Sequence, residues 1–169
     1  MIQIIKRLVV VGLMTGLATG AQAQIVRHSS GPGPQLILQG VTVPAGAETL
    51  FLSGQLPSPI DASKRPDSVA SFGDTKTQTV STLSKIKTIL ASRGYQMSDI
   101  IKMTVFLTAD PARSDGKMDF AGMNEGFRMF FGNAENPNTV ARSTVQVAAL
   151  AGPFYLVEIE VTAAKVPSR

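Results

Sequence analysis

Between Val80 and Leu107 the hydrophobic period of the chain changes from that of a helix to that of a strand. No other feature narrows the fold as much. Val80, Leu83, Ile86 and Leu90 recur at steps of three, three and four, one face of an α-helix. The helix is predicted over about Phe72 to Arg93, with Asp74 near its positive dipole end and Gly94 as its stop signal. From Ile100 to Thr108 the step falls to two. Ile101, Met103, Val105 and Leu107 share one strand face, and Ile100, Lys102, Thr104 and Phe106 share the other. A helix feeding such a strand implies a sheet covered by helices.

The flanking segments extend this pattern. Leu36 to Val43 and Glu48 to Ser53 are β-rich, separated by Pro44-Ala45-Gly46-Ala47, and read as a hairpin. Leu56 to Ser71, with Pro57, Pro59 and Pro66, reads as a loop. A second helix is predicted from about Met118 to Phe131, with Phe120, Asn124, Phe127 and Phe131 on its stripe and Gly132 closing it. Ser143 to Leu150 and Tyr155 to Val166 read as a final pair of strands around the turn Ala151-Gly152-Pro153. The predicted class is α+β, in the order β-β-α-β-α-β-β: one mixed sheet with both helices on one face. Two helices leave the other face bare, and a partner subunit is the obvious cover.

Met1 to Ala23 reads as an address rather than as fold. Lys6 and Arg7 precede a mostly apolar run, Leu8 to Ala18, and Ala21-Gln22-Ala23 has the small-x-small form of a signal-peptidase site. The run is short and broken by Gly12 and Gly16, so stable membrane insertion is not expected after cleavage. The expected division is a signal peptide over residues 1–23, a flexible Ser/Gly/Pro-rich leader over 24–34 and a single domain over 35–166. The expected destination is the bacterial periplasm or the medium. Removing Lys6 and Arg7 from the 16 basic residues leaves 14 against 12 acidic ones, so the formal +4 becomes +2. That balance gives no support to a nucleic-acid partner.

The chain has no Cys and one His, His28. Thiolate metal sites, disulfides and a cysteine nucleophile are excluded, and a metal site built on histidines is not expected. Asp61, Asp67 and Asp74 read as solvated charges or caps. Arg142 is more informative, because it stands where a loop enters a strand. A guanidinium fixed there can grip a carboxylate through two parallel hydrogen bonds. In Val157-Glu158-Ile159-Glu160-Val161 two carboxylates share a face. Alternation alone reads them as a solvent face, but a carboxylate beside an electron-poor carbon could instead hold and activate water.

Ala141-Arg142-Ser143-x-Val145-x-Val147-Ala148-x-Leu150, followed by Val157-Glu158-Ile159-Glu160, resembles the signature of the RidA/YjgF family of reactive-intermediate deaminases. Ser53-Gly54-Gln55-x-Pro57, Gly94-Tyr95-x-x-x-Asp99-Ile100-x-Lys102-x-Thr104-Val105-Phe106-Leu107 and Asn124-x-x-Phe127-x-x-x-Phe131 are similar to the family in the same order, over roughly Gln35 to Ala164. The resemblance implies a chorismate mutase-like homotrimer with sites in clefts between subunits. It implies cofactor-free hydrolysis of 2-enamino or 2-imino acids to 2-oxo acids and ammonia. By position, Arg142 would bind the substrate carboxylate and Glu158 would orient the attacking water. Gly54 would lie at the cleft with Asn124 in support. Thr144, which would bind substrate through its hydroxyl, stands where many members carry Cys, and a position near Ile37 stands where many carry Tyr. Phe154-Tyr155 lengthens the last connection by about one residue relative to the commoner family pattern. The family's best-known role is intracellular, so an exported member implies either a different imine or a second reading: a non-catalytic trimeric binder of small carboxylates, or a chaperone-like holdase.

Overall fold

The computed structural model describes residues 24–167. The predicted signal peptide lies outside them. The described residues form six strands and two α-helices: β1 (Val26–His28), β2 (Gly40–Thr42), β3 (Glu48–Gln55), α1 (Thr75–Ser92), β4 (Ile100–Leu107), α2 (Phe120–Arg128), β5 (Ala141–Gln146) and β6 (Val157–Lys165). The main sheet has the order β3-β6-β4-β5, with β4 and β5 parallel and the other pairs antiparallel. The class is α+β with a mixed sheet, as expected, but three local readings change.

The leader is not loose throughout: β1 pairs with β2 as a separate two-stranded ribbon. Arg27 pins it, donating to the carbonyls of Ser98 at 2.6 Å, Ile100 at 3.1 Å and Thr139 at 3.2 Å. The expected first hairpin is absent, because β3 pairs with β6 over a long register, from Glu48 opposite Lys165 to Gln55 opposite Ile159. Three residues of β2 offer no comparable ladder. The last two strands are not a hairpin either. β6 inserts between β3 and β4, while β5 sits on the outer edge of β4.

Each helix begins on an aspartate. Asp74 accepts from the Thr77 N–H at 2.8 Å and Asp119 from the Gly122 N–H at 3.0 Å, each satisfying a donor the helix leaves free. α1 ends with Gly94 at φ 74° and the Tyr95 N–H on the Leu90 carbonyl at 2.9 Å, a Schellman-type stop that requires the left-handed region.

Leu83, Ile86 and Leu90 of α1 and Met123 and Phe127 of α2 are buried in one core with Met103, Val105 and Leu107 of β4 and Val157, Ile159 and Val161 of β6. Val80, predicted to belong to this stripe, is only half-buried; Thr75, Gln78, Thr79 and Thr82 complete the buried face of α1 instead. Gln78 is fully buried. Its Nε2 donates to Gly73 and Phe154 carbonyls at 3.0 and 3.1 Å, and its Oε1 accepts from the Leu156 N–H at 2.8 Å. This clamp fixes the segment that carries the chain across the sheet into β6.

The second face of the sheet has no cover among the described residues. Phe51 on it is 75% exposed and Val145 is 44% exposed, beside Lys102, Thr104, Glu160 and Thr162. No helix among the described residues is long and apolar enough to cross a membrane.

Candidate functional site

Arg142 lies opposite Met103 across the β4–β5 ladder, so it points to the helix-covered face. Its guanidinium lies between β5 and α2. Nη2 donates to Asn124 Oδ1 at 2.6 Å, Nη1 approaches Met123 Sδ at 3.6 Å, and the group stacks 4.4 Å from the Phe127 ring centre. Phe120 is farther, at 5.9 Å. Phe127 was legible in the sequence as part of the second helix's stripe; its contact with Arg142 was not.

The head group is half-buried, and no carboxylate among the described residues pairs with it. Burial lowers its pKa to about 10, and the nearby charge of Arg128 pushes the same way. It therefore stays protonated at neutral pH. A guanidinium carries five N–H donors, and two are engaged here. The other three have no partner among the described residues. Thr144 is two residues on and opposite Val105, hence on the same face about 7 Å along the strand. Its hydroxyl is buried with no hydrogen-bond partner among the described residues.

Glu158 is placed differently. It lies opposite Phe106 across the β4–β6 ladder, and Phe106 is on the other face from Met103. Its carboxylate leans over Gly54, at the irregularity in β3 between Leu52 and Gln55. The five residues expected at the site therefore fall into two groups on opposite faces of the sheet: Arg142, Asn124 and Thr144 on one, Glu158 and Gly54 on the other. Leu38, next to Ile37, bridges Ala141, so the N-terminal segment runs past the Arg142 end of β5.

Among the described residues no group of three or more His, Asp or Glu side chains could hold a metal ion. His28 Nε2 is 2.8 Å from Thr42 Oγ1 on the ribbon. Asp61 and Asp67 are tied to neighbouring Ser hydroxyls.

Residues 40–165 match the family described as endoribonuclease L-PSP. The chain is a member of this family, RidA/YjgF. A RutC family protein of Pyrococcus horikoshii is 40% identical over 116 residues, 69% of this chain and 79% of that one. TdcF of Escherichia coli, named as a candidate reactive intermediate deaminase, is 34% identical over 128 residues, 76% of this chain and 85% of that one. The crystal structure of E. coli TdcF with bound serine aligns with a TM-score of 0.52 at 33% identity, covering 82% of this chain and 94% of that one. The E. coli YjgF structure aligns at 0.53 and 28% identity, with the same coverage. A RidA/YjgF fold and a general link to reactive-intermediate deaminases follow for this chain.

Proposed function

We propose that this RidA/YjgF member hydrolyses 2-imino acids, the tautomers of 2-enamino acids, to 2-oxo acids and ammonia, as an exported homotrimer. The observation that carries the reading is Arg142: a half-buried cation with unused donors, beside the unpartnered Thr144 hydroxyl. A half-buried cation without a counter-ion is costly to hold, and a ligand carboxylate would offset that cost. The TdcF structure with bound serine supports a ligand bearing a carboxylate beside a nitrogen-substituted carbon.

In this reading the substrate carboxylate takes two parallel bonds from Arg142 and one from Thr144. Glu158 holds a water against the imine carbon and takes a proton from it as the new C–O bond forms. As that bond forms the imine nitrogen gains a proton from solvent to give the carbinolamine; the nitrogen then gains the proton held by Glu158, the C–N bond breaks with its electron pair leaving on ammonia, and the hydroxyl returns a proton to solvent to give the 2-oxo acid. One water is consumed and one ammonia released, with no redox step.

Arg142 and Glu158 project from opposite faces of one sheet, so a cleft holding both takes Arg142 from one subunit and Glu158 from another. The bare sheet face with Phe51 supports assembly. Export rests on the sequence of residues 1–23.

Freshly generated 2-iminobutanoate should lose ammonia faster with the mature chain than in buffer. No acceleration, together with retained carboxylate binding, would favour the non-catalytic binder. Light scattering should give three chains per particle, and a monomer would remove the shared cleft.

A further inference from the structure

Arg128 ends α2 one turn after Asn124, and residues four apart lie on the same helix face, with Cβ atoms about 5–6 Å apart. Asn124 is the residue that holds Arg142. Arg128 and Asn124 line one cleft of about 470 Å³ along α2, together with Arg113, Met118, Phe120 and Glu125. The other charges in that cleft are already matched. Glu125 pairs with Lys76 at 2.9 Å, and Arg113 pairs with Asp115 at 2.8 Å. Arg128 has neither a carboxylate nor a side-chain hydrogen-bond partner among the described residues, and its charge adds to the burial that lowers the pKa of Arg142. Two uncompensated cations thus flank one buried amide. Like charges brought together without an acid between them repel, and an anion bridging them removes that repulsion.

We propose that Arg128 sets the specificity of the Arg142 site and that the substrate class is a short-chain 2-imino dicarboxylic acid. Arg142 takes the carboxylate next to the imine carbon, and Arg128 takes the distal one. This rests on the deaminase reading for the reaction but not for the binding. The distal carboxylate forms and breaks no bond, so the hydrolysis is balanced as above. Phe120, 44% exposed, lines the cleft with Arg128, and its ring centre lies 5.9 Å from the Arg142 guanidinium carbon, so it touches both ends of the proposed site.

The test compares a stable diacid, 2-oxoglutarate, with its monoacid counterpart, 2-oxobutanoate, by calorimetry on the mature full-length protein. Parallel assays measure ammonia release from 2-iminoglutarate and 2-iminobutanoate made in situ. Wild type should bind the diacid at least about tenfold more tightly, the lower range for a charge-assisted hydrogen bond. Arg128→Gln should collapse that ratio toward one, and Arg128→Lys should keep most of it. Because Arg128 is exposed, the ratio should also shrink with added salt. Equal binding of the two acids by wild type, no binding of either, or an equal loss for both acids in Arg128→Gln, overturns the proposal. Diacid preference without ammonia release from either imine sinks the deaminase reading and leaves this one standing. Efficient release from both imines, indifferent to Arg128, does the reverse.

Discussion

The Oε1 atom of Glu158 stands where a Cβ on Gly54 would have to be. The Glu158 Cδ and Cγ atoms lie 2.7 and 3.0 Å from the same point. Gly54 occupies the irregular step in β3 where two residues face one of β6, and a residue without a side chain lets the carboxylate lie against the backbone. The family signature at Ser53-Gly54-Gln55 therefore has a local physical reason: it gives Glu158 room to reach across the strand pair.

Gly54→Ala should consequently be a lesion of the site more than of the fold. The displaced atoms are the free end of a flexible side chain, so the chemical-denaturation midpoint should change by less than about 1 kcal/mol equivalent. Ammonia release should fall at least about tenfold, because the oxygen proposed to hold the water is moved. Wild-type turnover in Gly54→Ala would show that the position of Glu158 does not matter.

Ligand stabilisation should follow the charge on Arg142. Its proton is held until pH approaches about 10, while a simple carboxylate is ionised above about pH 4. A 2-oxo acid should raise the melting temperature equally between about pH 6 and 9, and less as pH rises through 10. The sign follows because the anion favours the protonated guanidinium. Arg142→Ala should weaken binding by about 2–4 kcal/mol, and Arg142→Lys should remain badly impaired because it keeps the charge without the fork. A thermal shift that survives Arg142→Ala would move the anion site elsewhere.

Gln78→Leu should be among the most damaging single substitutions away from the site. It is close in volume, but leaves the Gly73 and Phe154 carbonyls and the Leu156 N–H without their partner in a fully buried setting. A loss of at least about 3 kcal/mol is expected from urea unfolding. A loss under about 1 kcal/mol would mean that water replaces the clamp.

Residue type and period carried much of the fold: the stripe of α1 from Leu83 to Leu90, the alternation of β4, and the second helix around Phe127. Pairing was harder to read. Adjacent β-rich runs suggest hairpins, yet β3 and β5 each find a partner that is distant in sequence, and only the register reveals it. Gln78 was illegible because a polar residue near a helix start reads as solvated until its three buried partners are known. Val26-Arg27-His28 was hidden by its Ser/Gly/Pro surroundings, and its anchor is one guanidinium reaching three distant carbonyls. Arg142 and Glu158 could be nominated from their neighbours in sequence. Their faces could not, since alternation fixes relative sides within one strand but not between strands.

Those opposite faces lead to the sharpest test of a shared site. Arg142→Ala chains retain Glu158, and Glu158→Gln chains retain Arg142. Each variant alone should be nearly inactive, but for different reasons. Arg142→Ala loses anchoring, whereas Glu158→Gln should still bind a 2-oxo acid at least as well as wild type while turnover falls. If a site takes Arg142 from one subunit and Glu158 from the next, unfolding and reassembling the two variants together creates intact sites wherever a Glu158→Gln chain donates Arg142 to an Arg142→Ala neighbour. Random mixing in equal amounts makes about a quarter of all sites intact, because each of the two positions is correctly filled half the time in a ring of identical contacts. Ammonia release from the mixture should therefore return to about a quarter of the wild-type rate, with either variant alone as the baseline. If the reassembled mixture contains mixed trimers by native mass spectrometry and yet recovers nothing, then Arg142 and Glu158 do not act together across a subunit boundary. Their separation by the sheet would then mean that they do not act together at all.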